Sequence, residues 1–169
     1  LTGRSANGLD HLTTITEQGL TMLKTQVAII GGGPSGVLLA LLLAQEGIAV
    51  TVLERASRVH VLARIRAGVL ESTTVDLLHR AGVGERLGLE GKLHRGTGIA
   101  WGHEHTYLID SYAATQRYFT TYGQTAIQED LYAAAEARGL TIHFDVSDIE
   151  IDGLTDNPRI RCQIGQHTH

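Results

Sequence analysis

The chain is poor in the residues that staple, kink or anchor a protein. Among its 169 residues there are one cysteine, two prolines, one tryptophan and one methionine. The lone Cys162 has no partner for an internal disulfide, which excludes a disulfide scaffold and suits a reducing cytoplasm. Aromatic residues are only 5% of the chain, and Tyr118, Phe119 and Tyr122 alternate too imperfectly for a base-stacking platform. Basic charge is not in excess: 14 Lys and Arg against 18 Asp and Glu give a net −4. A chain built mainly to bind nucleic acid or an anionic membrane is thereby excluded. The longest apolar run, Val37 to Ala44, is too short to span a bilayer, and residues 1–21 lack the apolar stretch of an export signal. What remains, with 43% hydrophobic and 19% charged residues, is a globular chain with a packed core. At about 150 residues per domain its length suits one domain.

Residues 1–21 read as polar, without helical or strand period, and the pattern then changes abruptly. Gln26 to Ile30 is a short apolar run, as for a strand buried on both faces of a parallel sheet. Gly31 to Gly36 is a glycine-rich turn, with Pro34 where a first helical turn tolerates a missing N–H. Val37 to Glu46 is a helix that is apolar almost all round and should be well covered, with Gly47 as its stop. Ile48 to Leu53 repeats the strand signature. Strand, turn, helix and strand in about thirty residues make a βαβ unit with a parallel crossover. Further on, Val69 to Arg80 and Gln124 to Arg138 read as helices stopped by Gly82 and Gly139. Antiparallel strands are expected around Ile99 to Trp101, Thr106 to Ile109 and Tyr118 to Tyr122. Thr141 to Val146, Ile149 to Ile151 and Arg159 to Ile164 read as closing strands.

Gly31-x-Gly33-x-x-Gly36 is a dinucleotide fingerprint in which each glycine has its own task. Gly31 permits the tight turn, Gly33 lets the backbone approach a pyrophosphate, and Gly36 allows close packing of helix on strand. The following helix N-terminus offers N–H donors and partial positive charge to phosphate. Alone this fingerprint is weak. Here it follows a strand, opens a helix, and has an acid, Glu54, 18 residues after Gly36, placed to accept ribose hydroxyls. Glu54 would repel a 2′-phosphate, which favours FAD or NAD over NADP on this loop; the residues do not choose between those two.

Arg55, Arg58, Arg64 and Arg66 put four cations within twelve residues directly after that acid. For Arg55 and Arg58 a solvated basic surface is an equally good reading. Arg64 and Arg66 flank Ile65 and run into Ala67-Gly68-Val69, where two arginines on one side of an extended segment can clamp a pyrophosphate. A side-chain-free Gly68 leaves room for a flat ring against the backbone.

The segments KTQVAIIGGGPSG, VLERASRVHVLARIRAGVLE, VDLLHRAGVGERL and TYGQTAIQEDL together resemble the N-terminal part of the p-hydroxybenzoate hydroxylase family, the class A flavoprotein aromatic monooxygenases. The likeness runs from about Met22 to Cys162, and ARIRAGVLE followed by YGQT is its most specific part. It implies an α/β fold: a Rossmann-like FAD-binding domain of the glutathione-reductase type, truncated, with additional antiparallel strands. It implies bound FAD, NADPH or NADH as transient reductant, and O2 as co-substrate. The reaction implied is hydroxylation of 4-hydroxybenzoate or a similar phenolic acid ortho to its hydroxyl, in a cytoplasmic enzyme of aromatic catabolism that is a homodimer at full length. By the same resemblance Gly31, Gly33, Ser35 and Gly36 form the phosphate loop and Glu54 is the ribose acid. Arg64, Ile65, Arg66, Ala67, Gly68 and Val69 contact pyrophosphate and flavin, and Gln124 contacts FAD. Arg55 and Arg66 serve the reductant. His94 matches a histidine that ends a proton path to solvent, although a merely exposed His94 is the plainer reading.

The chain also departs from the family. Ala56 and His60 stand where a glutamine and a tyrosine help to choose the reductant, so relaxed selectivity or a lean toward NADH is expected. Family members are more than twice this length. Residues 22–169 are therefore expected to be the front portion of a FAD domain without its C-terminal substrate domain. Alone they should bind FAD weakly at best and hydroxylate nothing. Residues 1–21 are expected to be a non-native or disordered leader. Two other classes stay open: an NAD-dependent Rossmann dehydrogenase, in which ARIRAGVLE and YGQT have no task, and a non-catalytic nucleotide-binding module. His103 and His105 form a possible metal pair without a third ligand, and no metal site is assigned.

Overall fold

A computed structural model describes residues 14–17, 20–64, 68–103, 105–165 and 167–169. Its elements fall into two compact units, Leu1–Ala63 with Ala135–His169 and Arg64–Ala134. In chain order they are β1 (Thr14–Glu17), β2 (Leu20–Leu23), β3 (Val27–Ile30), α1 (Pro34–Gln45), β4 (Val50–Leu53) and α2 (Arg58–Ala63). There follow β5 (Val69–Leu70), α3 (Ser72–Arg80), α4 (Glu85–Glu90), β6 (Lys92–His94), β7 (Thr97–Trp101) and β8 (His105–Ile109). The last are α5 (Ser111–Thr115), β9 (Phe119–Thr121), α6 (Gln124–Ala137), β10 (Thr141–His143), β11 (Val146–Asp152), β12 (Arg159–Ile164) and β13 (His167–Thr168).

The first unit is built on the predicted βαβ. Strands β3 and β4 pair in parallel, Val27 opposite Val50 and Ile30 opposite Leu53, and β10 adds in parallel on the other side of β4. Helix α1 covers one face, where Ile29, Ala40, Val50 and Val52 form a core with Val27, Leu43, Ile48, Leu140 and Ile142 around it. On the opposite face Leu53 packs with Val146 and Cys162, from the antiparallel sheet β11-β12-β13. All four residues of β4 are buried. Strand β3 is not the doubly buried strand expected: Ile30 is 47% exposed. Among the described residues β3 has a partner on one side only, and α1 shields the face of Ile29 while Ala28 and Ile30 point the other way. Nor is α1 covered all round, since Val37, Ala40 and Leu41 are buried while Leu39 is 47% exposed.

The three predicted glycine stops share one device. After α1 the N–H groups of Gly47 and Ile48 bond back to Ala44 and Leu43, and the same pattern follows α3 at Gly82 and Val83 and α6 at Gly139 and Leu140. Each glycine is left-handed, and each is followed by an apolar residue that the returning chain can bury. Thr14–Glu17 pairs antiparallel with Leu20–Leu23, so strand structure reaches into a stretch whose polar sequence shows no period; residues 1–13 lie outside those described.

In the second unit β9 is central, with β5 and β6 antiparallel on either side. Val69 and Leu70, read from sequence as the start of a helix, instead form β5 opposite Thr121 and Thr120. The helix begins at Ser72, after Glu71 at its N-cap, because Val69 and Leu70 have a backbone partner in β9. Strands β7 and β8 form a separate two-stranded hairpin whose ten residues are all exposed. Helix α5 is capped by Asp110, whose carboxylate accepts from the Ala113 N–H at 2.9 Å. That bond, with the nearby Arg95 guanidinium, holds the Asp110 pKa below the usual carboxylate value.

Candidate dinucleotide-binding site

The first unit carries the glycine loop and its acid together. Gly31 has φ +117°, a conformation that favours glycine, and its N–H donates to the Leu53 carbonyl at 2.8 Å. The loop is thus tied to the end of β4 as it turns. At Gly33 nothing stands within 4 Å of where a Cβ would be, so its backbone is open to a ligand. A Cβ on Gly36 would run into the Gly31 carbonyl and approach Ile29 Cγ2 to 3.3 Å, which is the close helix–strand packing expected of the third glycine. Helix α1 starts on Gly33 with Pro34 in its first turn, no side-chain cap and no acid in that turn. Its positive end, with Ser35 exposed beside it, is left to serve an anion.

Glu54 is held more firmly than sequence could show. Its N–H donates to the His143 carbonyl at 2.8 Å and its carbonyl accepts from Val146 at 3.0 Å. Its carboxylate bridges the turn: Oε2 accepts from the Gly32 N–H at 2.6 Å and Oε1 from the Ala56 N–H at 2.9 Å. A carboxylate has about four acceptor positions, so two remain for ribose hydroxyls. The bridge also explains Gly32, which the fingerprint leaves unspecified. A Cβ there would stand 2.8 Å from Glu54 Cβ, so this position too requires glycine. The run of three glycines was the only sign of it in the sequence. Of the cations that follow, Arg55 is exposed, while Arg58 pairs with Glu136 at 2.6 Å in a solvent-exposed contact.

The second unit brings together the two most family-specific motifs. Gly68 accepts from the Tyr122 N–H at 2.8 Å. A Cβ on Gly68 would collide with the Tyr122 carbonyl and come within 3.3 Å of Gly123 Cα. The bare side of this glycine is therefore required by the chain's own backbone. Val69 continues into β5 with its side chain 59% exposed, and Gln124 opens α6 immediately after Gly123. Arg64 is exposed; Ile65, Arg66 and Ala67 lie outside the described residues. His94, at the end of β6, is exposed and its Nε2 is 3.1 Å from Thr121 Oγ1. Both His94 and Gly68 are thus tied to the β9 segment.

The remaining candidates carry less. His105 is stacked on Trp101 with ring centroids 5.4 Å apart, and no group of three metal-ligating side chains occurs among the described residues. Cys162 is buried, its thiol pKa pushed up by desolvation, so it is a packing residue and a poor nucleophile. No described helix is long and apolar enough to cross a membrane.

An open Gly33 backbone, an uncapped helix start and a pre-positioned carboxylate with spare acceptors fit the diphosphate and ribose of a dinucleotide. Over residues 24–164 the chain matches the family described as FAD binding domain. It is 40% identical over 139 residues to p-hydroxybenzoate hydroxylase of Acinetobacter baylyi, covering 82% of this chain and 34% of that protein. It is 31% identical over 133 residues to tryptophan 2-halogenase of Chondromyces crocatus, covering 76% of this chain and 24% of that one. The chain therefore spans about a third or less of the length of these relatives. Its fold matches the crystal structure of p-nitrophenol 4-monooxygenase from Pseudomonas putida with a TM-score of 0.70 at 21% identity, over 84% of this chain and 37% of that one. With an α/β fold shared with flavin-dependent monooxygenases and a family match over most of its length, the chain belongs to the FAD binding domain family.

Proposed function

We propose that residues 22–169 serve as the N-terminal portion of the FAD-binding domain of a flavin-dependent aromatic hydroxylase. The whole enzyme would use NADPH or NADH and O2 to hydroxylate 4-hydroxybenzoate or a similar phenolic acid ortho to its hydroxyl, as a cytoplasmic homodimer. The observation that carries the cofactor part is the Glu54 carboxylate held by Gly32 and Ala56 beside the open Gly33. The substrate part is supported by the 40% identity to the Acinetobacter hydroxylase.

Bound FAD would supply the electron transfer and oxygen chemistry. The chain's own residues bind and orient. Gly31, Gly33, Ser35 and Gly36 would receive the pyrophosphate at the start of α1, and Glu54 the ribose hydroxyls. Arg64, Ile65, Arg66, Ala67, Gly68, Val69 and Gln124 would line the flavin side, with Arg55 and Arg66 meeting the reductant. His94, exposed and hydrogen-bonded to the Thr121 hydroxyl, would stand at the solvent end of a proton path. The second reading, a halogenating flavoenzyme, is favoured by the 31% identity to the Chondromyces enzyme.

Titrating the chain with FAD and following flavin fluorescence tests the cofactor reading. Binding should be measurable and should weaken about tenfold or more in Glu54→Gln, whose amide must point an N–H at either Gly32 or Ala56, donor against donor. Equal affinity of wild type and E54Q would refute the assigned role of Glu54. In the full-length enzyme, steady-state assays with both nucleotides should show NADH at least as effective as NADPH; a strong NADPH preference would refute the reading of Ala56 and His60.

A further inference from the structure

We infer that Tyr122 and Asp130 are positioning residues for the segments that meet the flavin, acting through a hydrogen-bonded brace that ends on Arg86. The inference rests on the reading of Gly68 and Gln124 as FAD contacts.

Tyr122 is 6% exposed, yet its hydroxyl donates to Asp130 Oδ2 on α6 at 2.8 Å. The other oxygen of that carboxylate, Oδ1, accepts from Arg86 Nη1 of α4 at 3.4 Å. Arg86 is itself fixed from two more sides, donating to Glu129 Oε2 at 3.1 Å and to Glu90 Oε1 at 3.1 Å. The tyrosine ring therefore cannot swing away without leaving a part-buried carboxylate oxygen short of a donor.

The backbone of the same residue holds Gly68. The Tyr122 N–H donates to the Gly68 carbonyl at 2.8 Å, and the Tyr122 carbonyl occupies the place where a Gly68 side chain would stand. Any rotation of this peptide is transmitted to Gly68 directly, and Gln124 follows two residues later. One side chain thus sets the register of both segments. A purely packing role would be filled by phenylalanine; the hydroxyl aimed at a carboxylate is what packing does not require. Burial and the adjacent Asp130 raise the ionisation of Tyr122 well above the usual tyrosine range, so it remains a donor at any working pH.

The test compares Tyr122→Phe, Asp130→Ala, Asp130→Asn and Leu78→Val in the full chain. Leu78 is a buried residue of α3 outside the brace, and its truncation controls for simple loss of stability. FAD affinity and the visible circular dichroism of the bound flavin are read for each. Y122F and D130A should each raise the FAD Kd about tenfold, the size of one lost charge-assisted hydrogen bond, and change the flavin signal. D130N, whose oxygen can go on accepting from Arg86 while its amide donates to the tyrosine hydroxyl, should recover most of the affinity, and L78V should leave both readouts unchanged. Unchanged binding in Y122F, or an equal loss in L78V, overturns the inference while the cofactor reading stands. A wild-type chain that takes up no FAD overturns both.

Discussion

Strand β4 and the hairpin β7–β8 are made of similar residues and end in opposite environments. Val50, Thr51, Val52 and Leu53 are all buried, whereas Ile99, Trp101, Tyr107, Leu108 and Ile109 are all exposed. The pairing is equally regular in both, in parallel from Val27–Val50 to Ile30–Leu53 and antiparallel from Thr97–Ile109 to Trp101–His105. The difference is cover. The β4 strand has α1 on one face and, at Leu53, Val146 and Cys162 on the other. Among the described residues the hairpin strands pair only with each other, and such cross-strand neighbours are worth about 0.2–1 kcal/mol each. Apolar composition thus predicts a strand; only the neighbouring layer decides whether that strand carries stability.

Paired truncations give the largest test of this contrast. Leu41, fully buried in α1, should lose about 4 kcal/mol on change to Ala through lost transfer energy and a cavity. Leu108→Ala on the hairpin should stay within about 0.5 kcal/mol. Urea midpoints followed by far-ultraviolet circular dichroism would show it, and similar losses at both sites would break the comparison.

Glycines sharpen the contrast, with opposite signs. Gly36→Ala drives a Cβ into the Gly31 carbonyl and should cost about 3 kcal/mol, together with FAD binding. On β7, a Cβ at Gly98 would meet only Thr106 Cγ2, at 3.9 Å. Gly98→Ala should therefore gain about 0.5 kcal/mol from reduced chain entropy. Destabilisation by G98A, measured by the same unfolding midpoint, would show that the hairpin is less open than described.

The smallest effect is one of pH. Burial, reinforced by His169, holds the pKa of His143 in β10 below its usual 6.5. The folded chain then keeps a neutral imidazole while the unfolded chain protonates. This contribution is full above about pH 6.5 and is lost as pH falls through the depressed folded value. Urea midpoints should drop over that interval in the wild type, and His143→Gln should flatten the drop.

The βαβ unit was legible because three independent signals agree there: the apolar run of β3, the glycine spacing and Glu54 at the end of β4. Gly32 was not legible, because the fingerprint leaves that position unspecified while the Glu54 side chain requires a glycine there. Val69 and Leu70 were misassigned because helical period continued through them; the partner that made them a strand, β9, lies some fifty residues on. Helices α2, α4 and α5, of six, six and five residues, are too short to show a period at all. Among the candidate site residues the glycine loop, Glu54, Arg64, Arg66 and Gly68 were readable from spacing and residue type, while Ser35, Gln124 and His94 were named only through likeness to a family. The brace from Tyr122 through Asp130 to Arg86 joins positions that no local pattern connects.

The stacked pair at the hairpin tip has a practical consequence. Trp101 is the only tryptophan in the chain, it is 55% exposed, and it lies against the His105 ring. Intrinsic tryptophan emission therefore reports on the tip of β7–β8. An emission-monitored melt would record the opening of this hairpin, and unfolding of the core around β4 needs a separate probe.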